Sequence, residues 1–310
     1  MTTPPPTPPI SPAPTLRFRA APLLVFGPTA SGKSAYAMMR AVERPSLIIN
    51  ADSMQVYRDL RILSARPSGT DEVAVPHALF GHVDGAEAYS AGRYIRDLEP
   101  VLDRAMADGL RPIIVGGTGL YFRAILEGLS PVPEIPDDVR ARWRLLQREA
   151  GADALHAILA TRDPEMAARL RPSDPQRIVR ALEVLDGTGR SLAMWQAQPG
   201  TPLIVAEACE RVLITAAREE VCARAARRFA MMMDGGALDE VSHLIARGLD
   251  PALPVMRALG VPQLARHLAG EVTRDAAMGD AVADTRGYIK RQLTWAKRNM
   301  ADWKSVAMPT

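Results

Sequence analysis

Apolar positions along the chain follow two spacings. Short, nearly continuous apolar runs bounded by breakers occupy residues 22–26, 46–50, 112–115 and 211–215, the pattern of strands buried on both faces. Between and after them, residues 33–42, 92–108 and 219–233 repeat their apolar positions three and four apart, which predicts amphipathic helices. Strands alternating with helices predict an α/β core: a parallel sheet flanked by helices on both faces. From residue 131 to 199 the strand-like runs vanish. Four helical stretches follow one another there, at 137–150, 152–160, 163–170 and 174–185, bracketed by Pro131, Pro133, Pro136 and Pro199. Residues 131–199 therefore read as an inserted all-helical domain, and residues 21–130 with 200–304 as the core that receives it. Residues 1–20 hold prolines at 4, 5, 6, 8, 9, 12 and 14 and read as a disordered extended arm.

Composition narrows this picture. A chain of 310 residues that is 47% hydrophobic and 24% charged buries a sizeable core, which excludes disorder of the whole. No apolar run approaches the roughly 20 residues of a membrane span, and the proline-rich start predicts neither a signal peptide nor an anchor. The 38 basic and 35 acidic residues leave a net charge of +3, too mild to demand or forbid a nucleic-acid partner. Distribution says more. The helical block matches ten arginines with ten acids, whereas residues 286–300 carry Arg286, Lys290, Arg291, Lys297 and Arg298 and no acid. Cys209 and Cys222 have neither metal-ligand nor disulfide spacing and read as small buried hydrophobes, which suits a cytoplasmic protein. The five histidines show no metal spacing either, and His77 is expected to be structural.

The sharpest chemical signal is Gly27-Pro28-Thr29-Ala30-Ser31-Gly32-Lys33-Ser34, which follows a predicted strand and opens a predicted helix. That context marks a P-loop: glycines let the backbone wrap a phosphate, successive N–H groups point inward, and the helix N-terminus adds positive potential. Lys33 supplies a compact charge and the Ser34 hydroxyl a ligand for Mg²⁺. Lys33 is also the only lysine before position 290 in a chain that otherwise uses arginine. An arginine fork would not replace an ammonium in such a cradle.

The second predicted strand ends in Asn50-Ala51-Asp52-Ser53-Met54-Gln55-Val56-Tyr57. Parallel sheets place their sites at the carboxyl ends of strands, so Asp52 is expected to face the phosphate crevice; its other reading is a turn former or helix cap. A further turn, Gly116-Gly117-Thr118-Gly119-Leu120-Tyr121, joins a strand to a helix and offers a second set of donors at the same edge. Arg224 and Arg228, four apart on one helical face, read either as diphosphate contacts or as solvated charges.

Together these segments resemble the tRNA dimethylallyltransferases. The resemblance is carried by residues 27–34, Ala51 to Tyr57, Val75-Pro76-His77, Tyr89-Ser90-Ala91, the 116–121 turn, Gln176-Arg177-Ile178-Val179-Arg180-Ala181-Leu182-Glu183, Met256-Arg257-Ala258-Leu259-Gly260, and Thr285-Arg286 through Lys290-Arg291-Gln292-Leu293-Thr294-Trp295. It spans residue 21 to about 298 in family order. It implies transfer of a dimethylallyl group from its diphosphate to the exocyclic amine of the adenosine just 3′ of the anticodon, with Mg²⁺ as cofactor. Residues 27–34 and Arg228 would then hold the diphosphate, and Asp52, Lys33, Ser34 and Arg224 would serve the chemistry. The tRNA anticodon stem-loop would meet Asp52, Ser53, Met54, Gln55, Thr118, Arg140, Gln176, Arg177, Ile178, Val179, Arg180, Arg257, Lys290, Arg291 and Gln292. A monomer is expected.

Other readings compete. A small-metabolite kinase would use the same loop for ATP, a nucleotide prenyltransferase would accept free adenine nucleotide, and a non-catalytic RNA-binding switch would need no Asp52. The helical block favours a bulky acceptor over the kinase and the free-nucleotide enzyme, and Asp52 speaks against the switch.

Overall fold

The computed structural model describes residues 20–307, so the expected Pro-rich arm lies almost wholly outside the described residues. The chain divides into two compact units, one running up to Leu126 and resuming at Leu203, the other comprising Glu127–Pro202.

The first unit is built on six strands: β1 (Leu23–Phe26), β2 (Ser46–Asn50), β3 (His77–Ala78), β4 (Arg111–Gly116), β5 (Glu210–Thr215) and β6 (Lys304–Ala307). All pairings are parallel, in the order β3-β2-β4-β1-β5-β6. The helices that precede the second unit are α1 (Lys33–Ala41), α2 (Gly69–Ala74), α3 (Ala91–Ala107) and α4 (Gly119–Glu127). The central strands β1, β2 and β4 are buried at every position, as the unbroken apolar runs demand. Alternate residues feed two cores. Leu24, Phe26, Ile49 and Ile114 face α3 and α4, while Leu23, Val25, Ile48 and Ile113 face Tyr36, Ala37 and Ala41 of α1. The two edge strands escape the sequence pattern for a physical reason: β3 is two residues long and β6 is almost wholly exposed, so neither forms an apolar run.

The second unit holds α5 (Asp137–Arg162), α6 (Pro164–Arg169), α7 (Pro175–Thr188) and α8 (Leu192–Gln196) around its own core, which includes Trp143, Leu155, Leu159, Ile178 and Leu182. Gly151, at φ 77 and ψ 178, breaks α5 into two helices at the place where the apolar pattern breaks. Helix α8 was not foreseen. Its five residues are too few for a periodic signal, though Ser191 caps it by accepting from Ala193 N–H.

The first unit resumes with α9 (Arg218–Asp234), α10 (Ala237–Ala246), α11 (Val261–Leu268) and α12 (Arg274–Asn299). These pack around Phe229, Val241, Leu264 and Ala281 together with Val56, Tyr57 and Leu60 from the segment after β2.

Candidate active site

The register of the sheet assembles the site. Phe26 pairs with Gly116 and Asn50 with Val115, so β1, β2 and β4 end side by side and the three loops that leave them meet at one edge. Gly116 is required there: a Cβ would sit 2.0 Å from the Ala51 carbonyl oxygen.

Between β1 and α1 the chain turns through Ala30 (φ 60) and Gly32 (φ 80), tied by Ser31 N–H to Pro28 O at 3.2 Å and Gly27 N–H to Gly116 O at 3.3 Å. Lys33 is buried, and among the described residues its Nζ has only the Pro28 carbonyl, at 3.4 Å, as a hydrogen-bond partner. Burial lowers its pKa to about 8, against the pull of nearby Asp52 and with the help of Arg228. Ser31 is fully buried and its Oγ has no partner. Such a loop holds a charge and several donors short of acceptors, which is what an anion supplies.

The depressed pKa has a sign. Without ligand the fold gains stability as pH rises from about 8 to 10.5, because the folded chain releases this proton first. Anion binding does the opposite and favours the charged form. Affinity for a diphosphate ester is therefore expected to be flat with pH below about pH 8, where Lys33 stays charged, and to fall by up to about tenfold per pH unit above it. Calorimetric titrations in buffers of different ionisation enthalpy would show proton uptake appearing over the same range.

Two residues from distant parts of the chain brace the loop. Gln292 on α12 accepts from Thr29 N–H at 3.0 Å and donates to Gly117 O at 2.9 Å, joining the first loop to the third. Arg228 on α9 donates to Thr29 Oγ1 at 2.5 Å. Arg228 is thus desolvated beside the loop, and burial lowers its pKa while Asp52 opposes the shift. Its reading as a solvated helix charge is overturned. Arg224, one turn earlier, pairs with Glu220 at 3.3 Å and does not line the cavity described next.

Asp52 serves both of its readings. Its Oδ1 accepts from Met54 N–H at 3.0 Å, a side-chain turn, and its own N–H donates to Asn50 Oδ1 at 2.8 Å. Asp52 also lines a cavity of about 260 Å³, together with Thr29, Ser53, Met54, Arg228, Arg257 and Arg291. Thr118 holds the second loop against the third: its Oγ1 accepts from Ser53 N–H at 2.9 Å, and its N–H donates to Ala51 O at 3.2 Å.

Burial bears on four of the residues expected to meet tRNA. Gln55 is buried and spends both Nε2 hydrogens on the Ser64 and Ala65 carbonyls, at 2.8 and 2.9 Å, so it shapes a loop. Gln292 is buried in the brace just described. Ile178 and Val179 are 0% and 5% exposed in the core of the second unit. The same helix presents Gln176, Arg177 and Arg180 outward, Arg177 paired with Asp174 and Arg180 with Glu183. Arg140 lies near Glu134 and Asp137 in that unit, and Lys290 is exposed on α12 in the first.

The sequence also hid contributors. Tyr288 lines the cavity, with its pKa raised by burial and by Asp52. Leu63 and Ser64 form another wall, and Glu240 on α10 holds them in place. Its carboxylate accepts from three successive backbone N–H groups, Arg61, Ile62 and Leu63, at 2.6, 2.7 and 2.8 Å. Glu240→Gln keeps the shape but loses the charge behind those bonds, a loss of about 1 kcal/mol or roughly fivefold. That loss is expected as a higher KM for the acceptor with diphosphate affinity unchanged, measurable by steady-state kinetics beside a diphosphate titration.

Comparison with known proteins bears on all of this. The sequence profile of the IPP transferase family matches residues 55–299, and that of isopentenyl transferases matches residues 21–75. A tRNA dimethylallyltransferase of Bradyrhizobium sp. (strain ORS 278) is 52% identical over 282 residues, covering 91% of this chain and 92% of the relative. One from Azorhizobium caulinodans is 50% identical over 281 residues, 91% and 90% of the two chains. The crystal structure of a tRNA isopentenylpyrophosphate transferase from Bacillus halodurans superposes with a TM-score of 0.66 at 30% identity, over 94% of this chain and 90% of that one. A eukaryotic dimethylallyltransferase acting on tRNA shares the fold, with a TM-score of 0.76 at 22% identity, over 93% and 74%. With profile, relatives and fold in agreement over nearly its whole length, the chain belongs to the IPP transferase family.

Proposed function

We propose that this protein transfers a dimethylallyl group from dimethylallyl diphosphate to the N6 amine of the adenosine just 3′ of the anticodon in tRNA. The observation that carries the reading is the meeting of a buried lysine in the loop with an arginine and a carboxylate beside it: Arg228 and Asp52 line one cavity, and Lys33 lies close enough to feel the charge of both. A kinase needs the first two. A kinase could place a carboxylate there too, on Mg²⁺ or as a base, and the match to tRNA dimethylallyltransferases over nearly the whole chain is what favours prenyl transfer.

The allylic C1–O bond breaks as the diphosphate takes the electron pair, and the charge that develops falls on Lys33, Arg228 and the loop N–H groups. The adenine amine, a poor nucleophile because its lone pair is delocalised, forms the N6–C1 bond and gives its proton to Asp52. The base must leave its stack to reach the cavity. Tyr288 and Thr118 border the path it would take.

Mg²⁺ fits this arrangement. Ser34 offers an exposed hydroxyl at the start of α1, and among the described residues no three His, Cys, Asp or Glu side chains gather into a cage. Mg²⁺ suits such a site, since it is held mainly by substrate phosphates and water. When bound, it would add to the neutralisation of the leaving diphosphate.

The grip on tRNA is assigned to placed basic side chains: Arg177 and Arg180 on α7, and Arg257, Lys290 and Arg291 in the first unit. Removing Arg177 and Arg180 together is expected to weaken tRNA binding and to flatten its salt dependence by about two units of slope, leaving diphosphate binding intact. Affinities at several salt concentrations measure this, and unchanged slopes would move weight to a free-nucleotide acceptor. Among the described residues no helix is long and apolar enough to cross a membrane, and the tRNA substrate assigns the work to the cytoplasm. One chain carries loop, base and cavity in a single unit, so a monomer suffices. The direct test supplies labelled dimethylallyl diphosphate and Mg²⁺ with tRNA, with AMP, or with no acceptor. Label in tRNA alone supports the reading, and label in AMP replaces it.

A further inference from the structure

We propose a second anion site, beyond the reaction above, in a cavity of about 490 Å³ lined by Arg66, His77 and Ser34, which takes a phosphate group carried on an aromatic or apolar body. This cavity is separate from the one that holds Asp52. It lies against the first turns of α1 and the strands β2 and β4, with Met38, Ile48 and Phe80 as its apolar wall.

Arg66 carries the argument. Its guanidinium crosses Gly81 so closely that a Cβ there would lie 1.3 Å from Nη1, so the glycine makes room for the charge. Among the described residues Arg66 forms no ion pair. Its Nε is buried with no partner, and its only hydrogen bond, Nη1 to the Tyr57 carbonyl, is long at 3.5 Å. A half-buried cation with its Nε shut away from water and no counter-ion is costly to keep, and a bound anion lowers the cost. Burial, with nearby Arg61, disfavours its charged form; the acids that oppose the shift, Glu72 and Glu240, make no contact with it.

The neighbours suit a phosphate. His77 Nδ1 lies 2.7 Å from the Val75 carbonyl, which can only accept, so Nδ1 carries hydrogen and Nε2 is left for a ligand. That nitrogen accepts from a phosphate hydroxyl, or takes up a proton and donates. Ser34, assigned above to Mg²⁺, borders the cavity at its loop end and is not counted among the groups that hold this anion. Asp71, the one carboxylate in the lining, is occupied by Ser68, whose N–H and Oγ reach its Oδ2 at 2.9 and 2.7 Å. Phe80 packs edge-on against His77 at 5.4 Å and gives a base or other flat group a surface to cover.

The full chain would be titrated with inorganic phosphate, AMP and adenosine. The readouts are calorimetric stoichiometry and the nitrogen-15 resonances of the His77 ring and the 27–34 amides. Two saturable phosphate events are expected, one seen by the loop amides and one by His77. Arg66→Gln should weaken only the His77 event, by roughly tenfold or more, the range for a lost charge-assisted bond. Arg66→Lys should largely keep it, and Lys33→Ala should remove only the loop event. AMP should act on His77 at lower concentration than phosphate, and adenosine alone should not. A His77 signal that stays silent in the wild-type protein, or follows the loop event in every variant, overturns the site. Equal potency of AMP and phosphate overturns the apolar part of the ligand.

Discussion

Replacing Lys33 by alanine should cost about 10²–10³ in turnover, the range for losing one preorganised donor to a developing anion. The loss should fall on both the binding and the departure of the diphosphate, because Nζ is the buried cation of the loop and, among the described residues, its sole hydrogen bond is a long one to Pro28. Arg228 would remain beside Thr29, so some activity should survive. Lys33→Arg should not rescue it: a planar fork does not fit a cradle closed by Ala30 and Gly32 in left-handed geometry. Single-turnover rates and donor affinities for both variants measure this. Full tRNA modification by Lys33→Ala would refute the assignment of the phosphate site.

Where the sequence was legible, the reason is local. A run of four or five buried residues announces a central strand, and the loop at 27–34 carries its own glycines, lysine and helix start. The fold class and the phosphate site follow from such short segments. Gln292 shows the opposite case. Its value lies in touching Thr29 from 263 positions away, and nothing in its own neighbourhood says that it faces inward toward a loop. Glu240 is similar, an acid in a helix whose three partners lie nearly 180 residues earlier. The burial of Ile178 and Val179 was legible locally. Their spacing with Ala181 and Leu182 marks the buried stripe of α7, and the arginines alternate with it on the wet face. A motif taken as a block of contacts hid that periodicity. Edge strand β6 lacked even this much, since Lys304 and Ser305 are as polar as any loop.

Asp52→Asn should be severe for chemistry and mild for binding. The turn decides how the new amide sits. Met54 N–H must be accepted, at 3.0 Å in the present structure, so the asparagine oxygen takes the place of Oδ1 and the amino group takes that of Oδ2. The edge left for the acceptor is then one that can only donate. A general base removed in this way costs roughly 10²–10⁴ in rate. The backbone should hold, since Asn50 and Thr118 still tie the same loop through Asp52 N–H and Ser53 N–H. Donor affinity should not fall. Asp52 opposes the depression of the Lys33 pKa, so its loss should move the pH at which diphosphate binding weakens to a lower value, and below that pH the donor meets one fewer negative charge. Three measurements separate the roles: single-turnover prenyl transfer, tRNA affinity, and diphosphate affinity as a function of pH. A sharp drop in tRNA affinity with normal single-turnover chemistry would make Asp52 a contact or a turn former and leave the amine without a base.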